Sequence, residues 1–407
     1  MALYNSDQQE DSLRLFNKAH EYHEIGNYQE AEEIYRYLVK HIKENWFLHY
    51  NFAHLLLETN RSEEALSQFL MAASLMTSNN DLYYNLALCQ KKCGQYDQAV
   101  QSYKKALELE PDDTDSLYNL AGCYHDLERF EEAIASYETI LEKDPFHQSA
   151  LNNIAYISQK TGSTDLAVFY YRRLLEVNPG HTSADHMLAA LTGKIRSTAP
   201  LSYVRDVFNS YSTHYEESLI DKLGYVLPEQ LVKIIKFSSG KQFFNRLLDL
   251  GCGTGLIGEA FKNSSATIHG IDLSSSMIEI AHNKEIYDQL ITGDIHAALT
   301  DLEKASYDLL IAADVFTYVG EIKNILNISH KLGRRDCLFY FSVEDLTGGQ
   351  TDMVLRESGR FAHSRRYIHQ TADAAGWYIF HVETIDLRRE RDKWIRGAVY
   401  AMKKVAT

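Results

Sequence analysis

A short glycine-rich stretch at residues 247–255 has the clearest potential for chemistry, and it reads Leu-Leu-Asp-Leu-Gly-Cys-Gly-Thr-Gly. The glycines at positions 251, 253 and 255 have no Cβ, so the backbone can turn sharply there and a ligand can approach it closely. An apolar run precedes the turn, and residues 256–261 are predicted to restart as a helix. A strand, a glycine turn and a helix N-terminus form the nucleotide-binding crevice of a doubly wound α/β sheet.

The type of nucleotide is indicated by two departures from the dinucleotide fingerprint Gly-x-Gly-x-x-Gly. Leu256 stands where the last glycine of that pattern should fall, and Asp249 stands just before the turn. A carboxylate is unfavourable beside a pyrophosphate and favourable beside an amino or sulfonium cation. The stretch therefore resembles motif I of class I S-adenosylmethionine-dependent methyltransferases. NAD(P) binding and a crevice with only a structural role are the alternatives.

Acidic residues follow three more predicted strands, in the order that a doubly wound sheet requires. Asp272 ends the strand at residues 267–272, and the next two strands lead to Asp294 and Asp314. The two hydroxyls of a ribose need an acceptor with two oxygens, which the carboxylate of Asp272 supplies. The remaining predicted strands are residues 290–295, 307–313 and 337–343, followed by an antiparallel hairpin of residues 377–387 and 394–402.

The resemblance extends over essentially all of residues 203–407 and implies roles for individual side chains. It implies that Asp294 meets the adenine amino group while Ile295 packs on the ring. It also implies that Tyr211, in cap helices at residues 203–237, closes over the cofactor. The residues implied for S-adenosylmethionine binding are Tyr211, Asp249, Gly251, Cys252, Gly253, Gly255, Asp272, Leu273, Met277, Asp294, Ile295 and Asp314.

The methyl acceptor is expected beyond the fourth and fifth strands, where the candidate pocket residues are Asp314, Tyr318, His363 and Arg366. His363 could accept a proton and Arg366 could hold a carboxylate or phosphate, but a helix cap with solvated arginines explains this region equally well. The fourth strand is not followed by Asn/Asp-Pro-Pro-Tyr/Phe, the motif usual for methylation of planar amide or base nitrogens. Such acceptors are therefore disfavoured. The sequence predicts no metal site and identifies no catalytic base.

The first half of the sequence repeats with a period of 34 residues. Small residues recur at two positions of the period, an aromatic residue at a third and proline at a fourth. They are Ala19, Ala53, Ala87, Ala121 and Ala155; Ala31, Ala65, Ala99, Ala133 and Ala167; Tyr35, Phe69, Tyr103, Tyr137 and Tyr171; and Pro111, Pro145 and Pro179. This pattern resembles the tetratricopeptide repeat. We expect five two-helix repeats in residues 12–181, with residues 182–191 as a capping helix.

Asparagine recurs at the same 34-residue step, at Asn17, Asn51, Asn85, Asn119 and Asn153. Asparagine is a poor residue in the middle of a helix, so its recurrence needs a reason. The resemblance places these residues on the first helix of each repeat, which lines the concave surface. A row of carboxamides there could bind the backbone of an extended peptide, because each amide both donates and accepts hydrogen bonds. The alternative is hydrogen bonding between helices within the array.

Length and pattern together predict an α + α/β chain with two domains. A chain of 407 residues exceeds the usual size of one hydrophobic core. We assign residues 1–192 to an all-α repeat solenoid and residues 193–202 to a linker. Residues 203–407 are assigned to a Rossmann-like methyltransferase domain with an antiparallel hairpin at its C-terminus.

Charge and composition narrow the possible partners and the compartment. Residues 1–192 contain 15 Lys and Arg against 29 Asp and Glu, so a nucleic acid is not expected on this half. The acidic charge mildly favours a basic partner, although solubility alone explains it. The chain has no apolar run of about 20 residues, a polar N-terminus and five cysteines without metal-site spacing. A cytoplasmic protein without a membrane span is the expectation.

Three functions fit this pattern. The first is a methyltransferase whose array recruits a protein or peptide partner that carries the methyl acceptor. The second is a small-molecule methyltransferase, acting on a carboxylate or hydroxyl, whose array serves assembly or localisation. The third is a scaffold with an inert domain that senses S-adenosylmethionine.

Overall fold

The computed structural model describes residues 6–211, 224–348, 351–390 and 393–405, with the backbone alone for residues 6–9, 210 and 211. The chain divides into two compact units, Met1–Pro179 and Gly180–Thr407. In the described part of the chain, no helix is both long and apolar enough to cross a lipid bilayer.

Ten helices are described in the first unit, and they pair in sequence as five antiparallel helix pairs. They are α1 (Ser6–Glu24), α2 (Tyr28–His41), α3 (Trp46–Glu58), α4 (Ser62–Leu75), α5 (Asn80–Lys92), α6 (Tyr96–Leu109), α7 (Thr114–Asp126), α8 (Phe130–Lys143), α9 (Gln148–Lys160) and α10 (Thr164–Val177). The predicted helical array of 34-residue repeats is confirmed.

The repeating small and aromatic residues form the packed interior of this array. The alanines at positions 31, 65, 99, 133 and 167 are fully buried, and the aromatic residues four positions later are at most 3% exposed. A small side chain lets two helix backbones approach closely, while the aromatic ring fills the space between neighbouring repeats. The residues that repeat every 34 positions in the sequence are therefore the ones that pack between the helices in every repeat.

The starts of the first helices in the second to fifth repeats are set by another repeating feature. Side chains immediately before helices α3, α5, α7 and α9 accept backbone N–H groups from the first turn, as N-caps do. These residues are Asn45, Asn79, Asp113 and His147, spaced by 34 residues. His181 continues the series and caps helix α11 (Thr182–Thr192) in the same way.

The second unit begins with α11 and contains seven further α-helices and nine strands in its described part. The helices are α12 (Leu201–Tyr211), α13 (Leu227–Ser239), α14 (Leu256–Phe261), α15 (Ser275–Asn283), α16 (Ile295–Asp301), α17 (Lys323–Leu332) and α18 (Arg365–Ala374). The strands are β1 (Phe244–Leu250), β2 (Ser265–Asp272), β3 (Gln289–Thr292), β4 (Tyr307–Ala312), β5 (Gly333–Asp345), β6 (Met353–Leu355), β7 (Phe361–His363), β8 (Trp377–Glu390) and β9 (Lys393–Lys404).

The strands form one sheet with a parallel centre and an antiparallel edge. Strands β3, β2, β1, β4 and β5 are parallel and adjacent in that order, while β9 runs antiparallel to β5 and pairs with β8. Helices α13 and α14 pack on one face, and α16, α17 and α18 pack on the other. The predicted doubly wound sheet with its closing antiparallel hairpin is confirmed.

The short hairpin of β6 and β7 is an addition that the sequence did not predict. Strand β7 runs parallel to the last two residues of β5, beyond the end of β4, and β6 pairs antiparallel with β7. The hairpin therefore stands at the carboxyl edge of the sheet, next to the loop that follows β4. It brings Arg356 and Arg360 to that edge.

Helix α11 makes contacts within the second unit. His186 Nε2 donates to the carbonyl of Gly359 at 2.9 Å, and Thr182 Oγ1 lies 2.6 Å from Ser202 Oγ. The linker that follows is also engaged, because the carbonyl of Ser197 accepts the N–H of Glu321 at 2.7 Å. The boundaries 1–192, 193–202 and 203–407 stay a prediction, as does the capping role of residues 182–191.

The repeat positions give a matched test of packing within helix α8. Ala133 is fully buried between helices, whereas Ala135 is exposed on the same helix. We expect Ala133→Leu to lower the free energy of unfolding of the array by about 1–3 kcal/mol through overpacking. Ala135→Leu should change it by less than about 0.5 kcal/mol. Urea unfolding followed by circular dichroism measures both, and equal effects would contradict the packing assignment.

Candidate functional site

The glycine turn after β1 is held closely against the loop after β4. Gly251 has a φ of +70°, and a Cβ at this position would collide with the Cγ2 methyl of Val315. A side chain is therefore excluded both by the backbone conformation and by the neighbouring loop. This contact brings together the carboxyl ends of β1 and β4, two strands that are paired in the sheet.

Asp249, at the end of β1, lies completely buried beneath the turn. Its Oδ2 accepts a hydrogen bond of 2.7 Å from the hydroxyl of Tyr287, while Oδ1 has no hydrogen-bond partner among the described residues. Burial raises the pKa of Asp249 to about 7, and the charge of Asp272 adds to the increase, against the opposing effect of the Tyr287 hydrogen bond. A cation bound over the turn would favour the ionised carboxylate.

Tyr287 is a site residue that the sequence pattern did not reveal. Its hydroxyl also accepts the backbone N–H of Gly258 at 3.1 Å. A Cβ on Gly258 would lie 2.5 Å from the Tyr287 ring, so this position must be glycine for the ring to fit. Gly253, Gly255 and Gly258 match Gly-x-Gly-x-x-Gly two residues later in the chain than the alignment that places Leu256 at the final glycine. The structure accounts for Gly258 by the packing of Tyr287.

Asp272, at the end of β2, is fixed to the glycine turn by backbone hydrogen bonds. Its Oδ2 accepts from the N–H of Gly253 at 2.8 Å, and its Oδ1 accepts from the N–H of Ser274 at 2.9 Å. Burial raises the pKa of Asp272, and these backbone hydrogen bonds act in the opposite direction. Each carboxylate oxygen keeps a further acceptor position. The orientation of this carboxylate is therefore fixed by the backbone on both sides of it.

The remaining predicted cofactor residues surround this centre in different ways. Asp294 caps helix α16, with Oδ2 accepting the N–H of Ala297 at 3.1 Å. Ile295 and Leu273 are half-buried, whereas Met277 is fully buried. Cys252 is also buried, and burial raises the pKa of its thiol far above the ordinary value.

Asp314 follows β4 in a left-handed conformation with a φ of +57°, which is unusual for a residue with a side chain. Its N–H donates to Ser342 Oγ at 2.7 Å, and its carbonyl accepts from Thr317 Oγ1 at 3.1 Å. Its carboxylate pairs with Arg388, which is almost fully buried; Arg388 Nη1 lies 2.8 and 3.1 Å from the two oxygens. The sequence pattern gave no indication of Arg388.

The four residues predicted for the acceptor pocket fall into three environments. Asp314 and Tyr318 share the loop after β4, and Tyr318 accepts a 3.1 Å hydrogen bond from Arg360 Nε. His363 is fully buried, donates from Nε2 to the carbonyl of Gly320 at 2.7 Å, and has a pKa lowered by burial. Arg366 is exposed and pairs with Asp352 at 2.8 Å. The geometry brings the first two together and gives His363 and Arg366 other partners.

Helix α12 connects the two sides of the candidate site. Asn209 Oδ1 accepts a hydrogen bond from Ser274 Oγ at 2.6 Å, after β2, while the ring of Phe208 packs edge-on against Tyr318 at 5.1 Å, after β4. The helix therefore spans the edge of the sheet where Asp272 and Asp314 lie. The side chain of Tyr211, predicted to close over the cofactor, lies outside the described residues.

In the array, three of the five repeating asparagines donate hydrogen bonds to the preceding repeat. Asn85 Nδ2 donates to Tyr50 OH at 3.0 Å, Asn119 to Tyr84 OH at 3.4 Å, and Asn153 to Tyr118 OH at 3.2 Å. Asn51 donates instead to the carbonyl of Phe47 at 2.7 Å, and Asn17 is exposed. At least part of each central carboxamide is thus used within the array, as the alternative interpretation expects.

A pocket of about 250 Å³ lies between the first helices of neighbouring repeats. Helix α5 contributes Lys91, α7 contributes Asn119 and His125, and α9 contributes Asn153 and Tyr156. Gly122 also lines it, and a Cβ there would lie 3.3 Å from Lys91 Nζ. Asp126 of α7 and Tyr137 of α8 line it as well, so the pocket combines a cation, a carboxylate, amides and aromatic rings. Across the described residues, no cluster of three or more His, Cys, Asp or Glu side chains could hold a metal ion.

Comparison with known families agrees with the two units. Residues 92–154 match a tetratricopeptide repeat family, and residues 14–40 and 148–181 match another family of the same description. Residues 248–341, which contain the glycine turn and strands β2 to β4, match a family described as a methyltransferase domain. The chain therefore carries tetratricopeptide repeats followed by a methyltransferase domain, and the predicted resemblance is confirmed.

Known proteins resemble parts of the chain. It is 28% identical over 127 residues to the ubiquinone biosynthesis O-methyltransferase of Pelagibacter ubique, covering 30% of this chain and 52% of that protein. It is 34% identical over 96 residues to the malonyl-[acyl-carrier protein] O-methyltransferase of Priestia megaterium, covering 22% and 34%. The chain spans about half the length of the first curated relatives it matches.

Among solved structures, YrrB, a TPR protein with an unusual peptide-binding site, is 21% identical. The TM-score is 0.41, and the match covers 44% of this chain and 93% of the YrrB chain.

The raised pKa of Asp249 predicts a pH dependence of stability. Its folded-state pKa of about 7 exceeds the ordinary value near 3.9, so the folded protein binds this proton more tightly. The contribution of Asp249 to the free energy of unfolding therefore falls as the pH rises from about 4 to about 7. Asp249→Asn should flatten this decline and make the ligand-free protein more stable than wild type at pH 8. Urea unfolding at several pH values measures the difference.

The matched control for this measurement is Asp301→Asn, because Asp301 is exposed. It should leave the pH profile of wild type unchanged. A wild-type slope in the Asp249→Asn protein would show that Asp249 titrates normally.

Proposed function

We propose that this chain is an S-adenosylmethionine-dependent methyltransferase whose repeat array recruits a protein or peptide partner. The observation that carries the catalytic half is the junction of Asp272 with the glycine turn. Two backbone N–H groups, from Gly253 and Ser274, orient this carboxylate at the turn, where a ribose would present its two hydroxyls. A methyltransferase domain in the same residues supports the assignment.

The residues present fit a cationic methyl donor. Asp249 lies beneath the turn with one oxygen unpaired among the described residues, so its ionised carboxylate would attract a cation bound above the turn. The positive charge of the donor would lower the pKa of Asp249, and binding would be coupled to loss of its proton. Asp294 and Ile295 follow β3, where the adenine would lie.

Methyl transfer requires little of the protein beyond position and exclusion of water. S-adenosylmethionine supplies a carbon already activated by its sulfonium, and the protein aligns the accepting atom with it. We assign this alignment to the loop containing Asp314 and Tyr318, with Phe208 of helix α12 covering Tyr318. A base is needed only if the acceptor retains its proton in the transition state. His363 is not assigned that role, because it is buried and bound to Gly320.

The cofactor assignment is tested by titration calorimetry with S-adenosylhomocysteine, the demethylated product. We expect the wild-type protein to bind it and Asp272→Ala to bind at least tenfold more weakly, because both ribose hydroxyls lose their acceptor. Asp301→Ala, which changes an exposed aspartate, should bind like wild type. Absence of binding by folded wild-type protein would refute the proposal.

The array is proposed to bind an extended segment of a partner along its first helices. The pocket of Lys91, Asn119 and Tyr156 lies on these helices and has the polar and aromatic groups that bind backbone and side chains. The carboxamide donors of Asn85, Asn119 and Asn153 are used within the array, so these residues contribute mainly through their oxygens. The partner then either carries the methyl acceptor or determines where the enzyme is localised.

An oxygen atom is the proposed methyl acceptor. Partial similarity to two O-methyltransferases supports this proposal, as does the missing motif of amide and base methylation. The small-molecule alternative has the same chemistry and differs in what carries the oxygen.

A methyl-label transfer assay on cell lysate, separated into protein and small-molecule fractions, distinguishes the two forms of the proposal. If the array recruits the substrate, label should enter protein, and Lys91→Ala should reduce it severalfold by removing the cation of the pocket. Lys105→Ala, on the second helix of the repeat and paired with Glu108, is the matched control and should label like wild type. Label confined to small molecules and insensitive to Lys91→Ala would favour the alternative.

A further inference from the structure

We propose that Arg388, on strand β8, is a positioning residue for the donor site, acting through Asp314 to hold the turn after β4 against the glycine loop. The inference rests on the proposed function, since it concerns the site of the methyl donor. It assigns a role to a strand that is separated from β4 by two strands, β5 and β9, and that lies outside the residues matched by the methyltransferase family.

Arg388 is a buried cation that joins two carboxylates. It is 2% exposed, its Nη1 contacts both oxygens of Asp314, and its Nη2 donates to Glu344 Oε1 at the end of β5. Glu344 is also near Arg356, with Nε 3.4 Å from Oε2. A buried arginine is costly unless its partners are well placed, so this arrangement favours a single geometry at the carboxyl edge.

An irregularity in strand β8 accompanies this placement. The pairing of β8 with β9 shifts register between Asp386 and Arg388, as at a β-bulge. A bulge changes the direction in which a side chain projects, and bulges occur often beside functional sites. Here the side chain of Arg388 points inward to Asp314.

Asp314 is the element through which Arg388 acts. The residue is in a left-handed conformation and is held at three points, which are its N–H by Ser342, its carbonyl by Thr317 and its carboxylate by Arg388. Only the last of these contacts comes from outside β5 and the loop itself. Without Arg388, the carboxylates of Asp314 and Glu344 would lack the cation they share, and their repulsion would favour moving Asp314.

The position of Asp314 matters because the next residue is Val315. The Val315 side chain occupies the space where a Cβ of Gly251 would lie, so the loop after β4 and the glycine turn are packed without a gap. A shift of Asp314 moves Val315 relative to the turn and changes the surface on which the donor rests. Tyr318, in the short helix Phe316–Tyr318, moves with it.

Calorimetric titration with S-adenosylhomocysteine tests this role. Arg388→Met, which keeps an unbranched apolar stem without the charge, should weaken binding at least tenfold, and Arg388→Lys should recover part of the loss. If Arg388 acts through Asp314, adding Arg388→Met to Asp314→Asn should cause no further loss. If Arg388 contributes only to the general stability of the fold, the losses of affinity caused by the two substitutions should be independent and should multiply. Arg246→Met is the control, because Arg246 pairs with Glu303 near the amino ends of β1 and β4, away from the carboxyl edge where Asp314 lies.

Each outcome is decisive. Folded Arg388→Met protein with wild-type affinity, or losses that multiply in the double variant, overturns the inference and leaves the proposed function intact. If wild-type protein does not bind S-adenosylhomocysteine, the proposed function fails and this inference fails with it. Circular dichroism establishes folding. If Arg388→Met does not fold, the same cycle is measured with Arg388→Lys, and equal affinity for wild type and Arg388→Lys then counts against the inference.

Discussion

The geometry of the proposed donor site depends on two places where a side chain cannot be accommodated. Val315 occupies the space beside Gly251, and Tyr287 occupies the space beside Gly258. Tyr287 also donates a hydrogen bond to the carboxylate of Asp249, and the N–H of Gly253 donates to the carboxylate of Asp272, so both carboxylates are held close to the turn. Close packing at the glycine loop thus brings the carboxyl ends of neighbouring strands together in one surface, which is the proposed donor site.

The sequence was sufficient where structure follows from local repetition or from strand order. The 34-residue step of Ala133 and Tyr137 requires helices that pack in the same way in each repeat, and the structure has them. Asp249, Asp272 and Asp314 could be placed at one edge because parallel strands share the direction of their carboxyl ends. Both inferences need only the periodicity of the chain and the rules of sheet topology.

The sequence was insufficient where a residue acts through a partner far along the chain. Tyr287 reaches Asp249 across 38 residues, and Arg388 reaches Asp314 across 74. No local pattern marks either residue, because their surroundings exist only in the folded sheet. The same limit explains His363, whose residue type suggested a base although folding buries it against Gly320. The recurrence of asparagine was visible in the sequence. The hydrogen bonds from Asn85, Asn119 and Asn153 to tyrosines of the preceding repeat were not.

The contacts of His186 with Gly359 and of Ser197 with Glu321 bear on how such a chain can be assembled from parts. Residues 180–202 connect two modules in sequence, yet they are built into the fold of the second one. A recombination event within residues 193–202 would therefore separate helix α11 from the rest of the second unit, with which it makes contacts. Exchange of repeat cassettes is compatible with an intact catalytic module only at or before Pro179, where the two units divide.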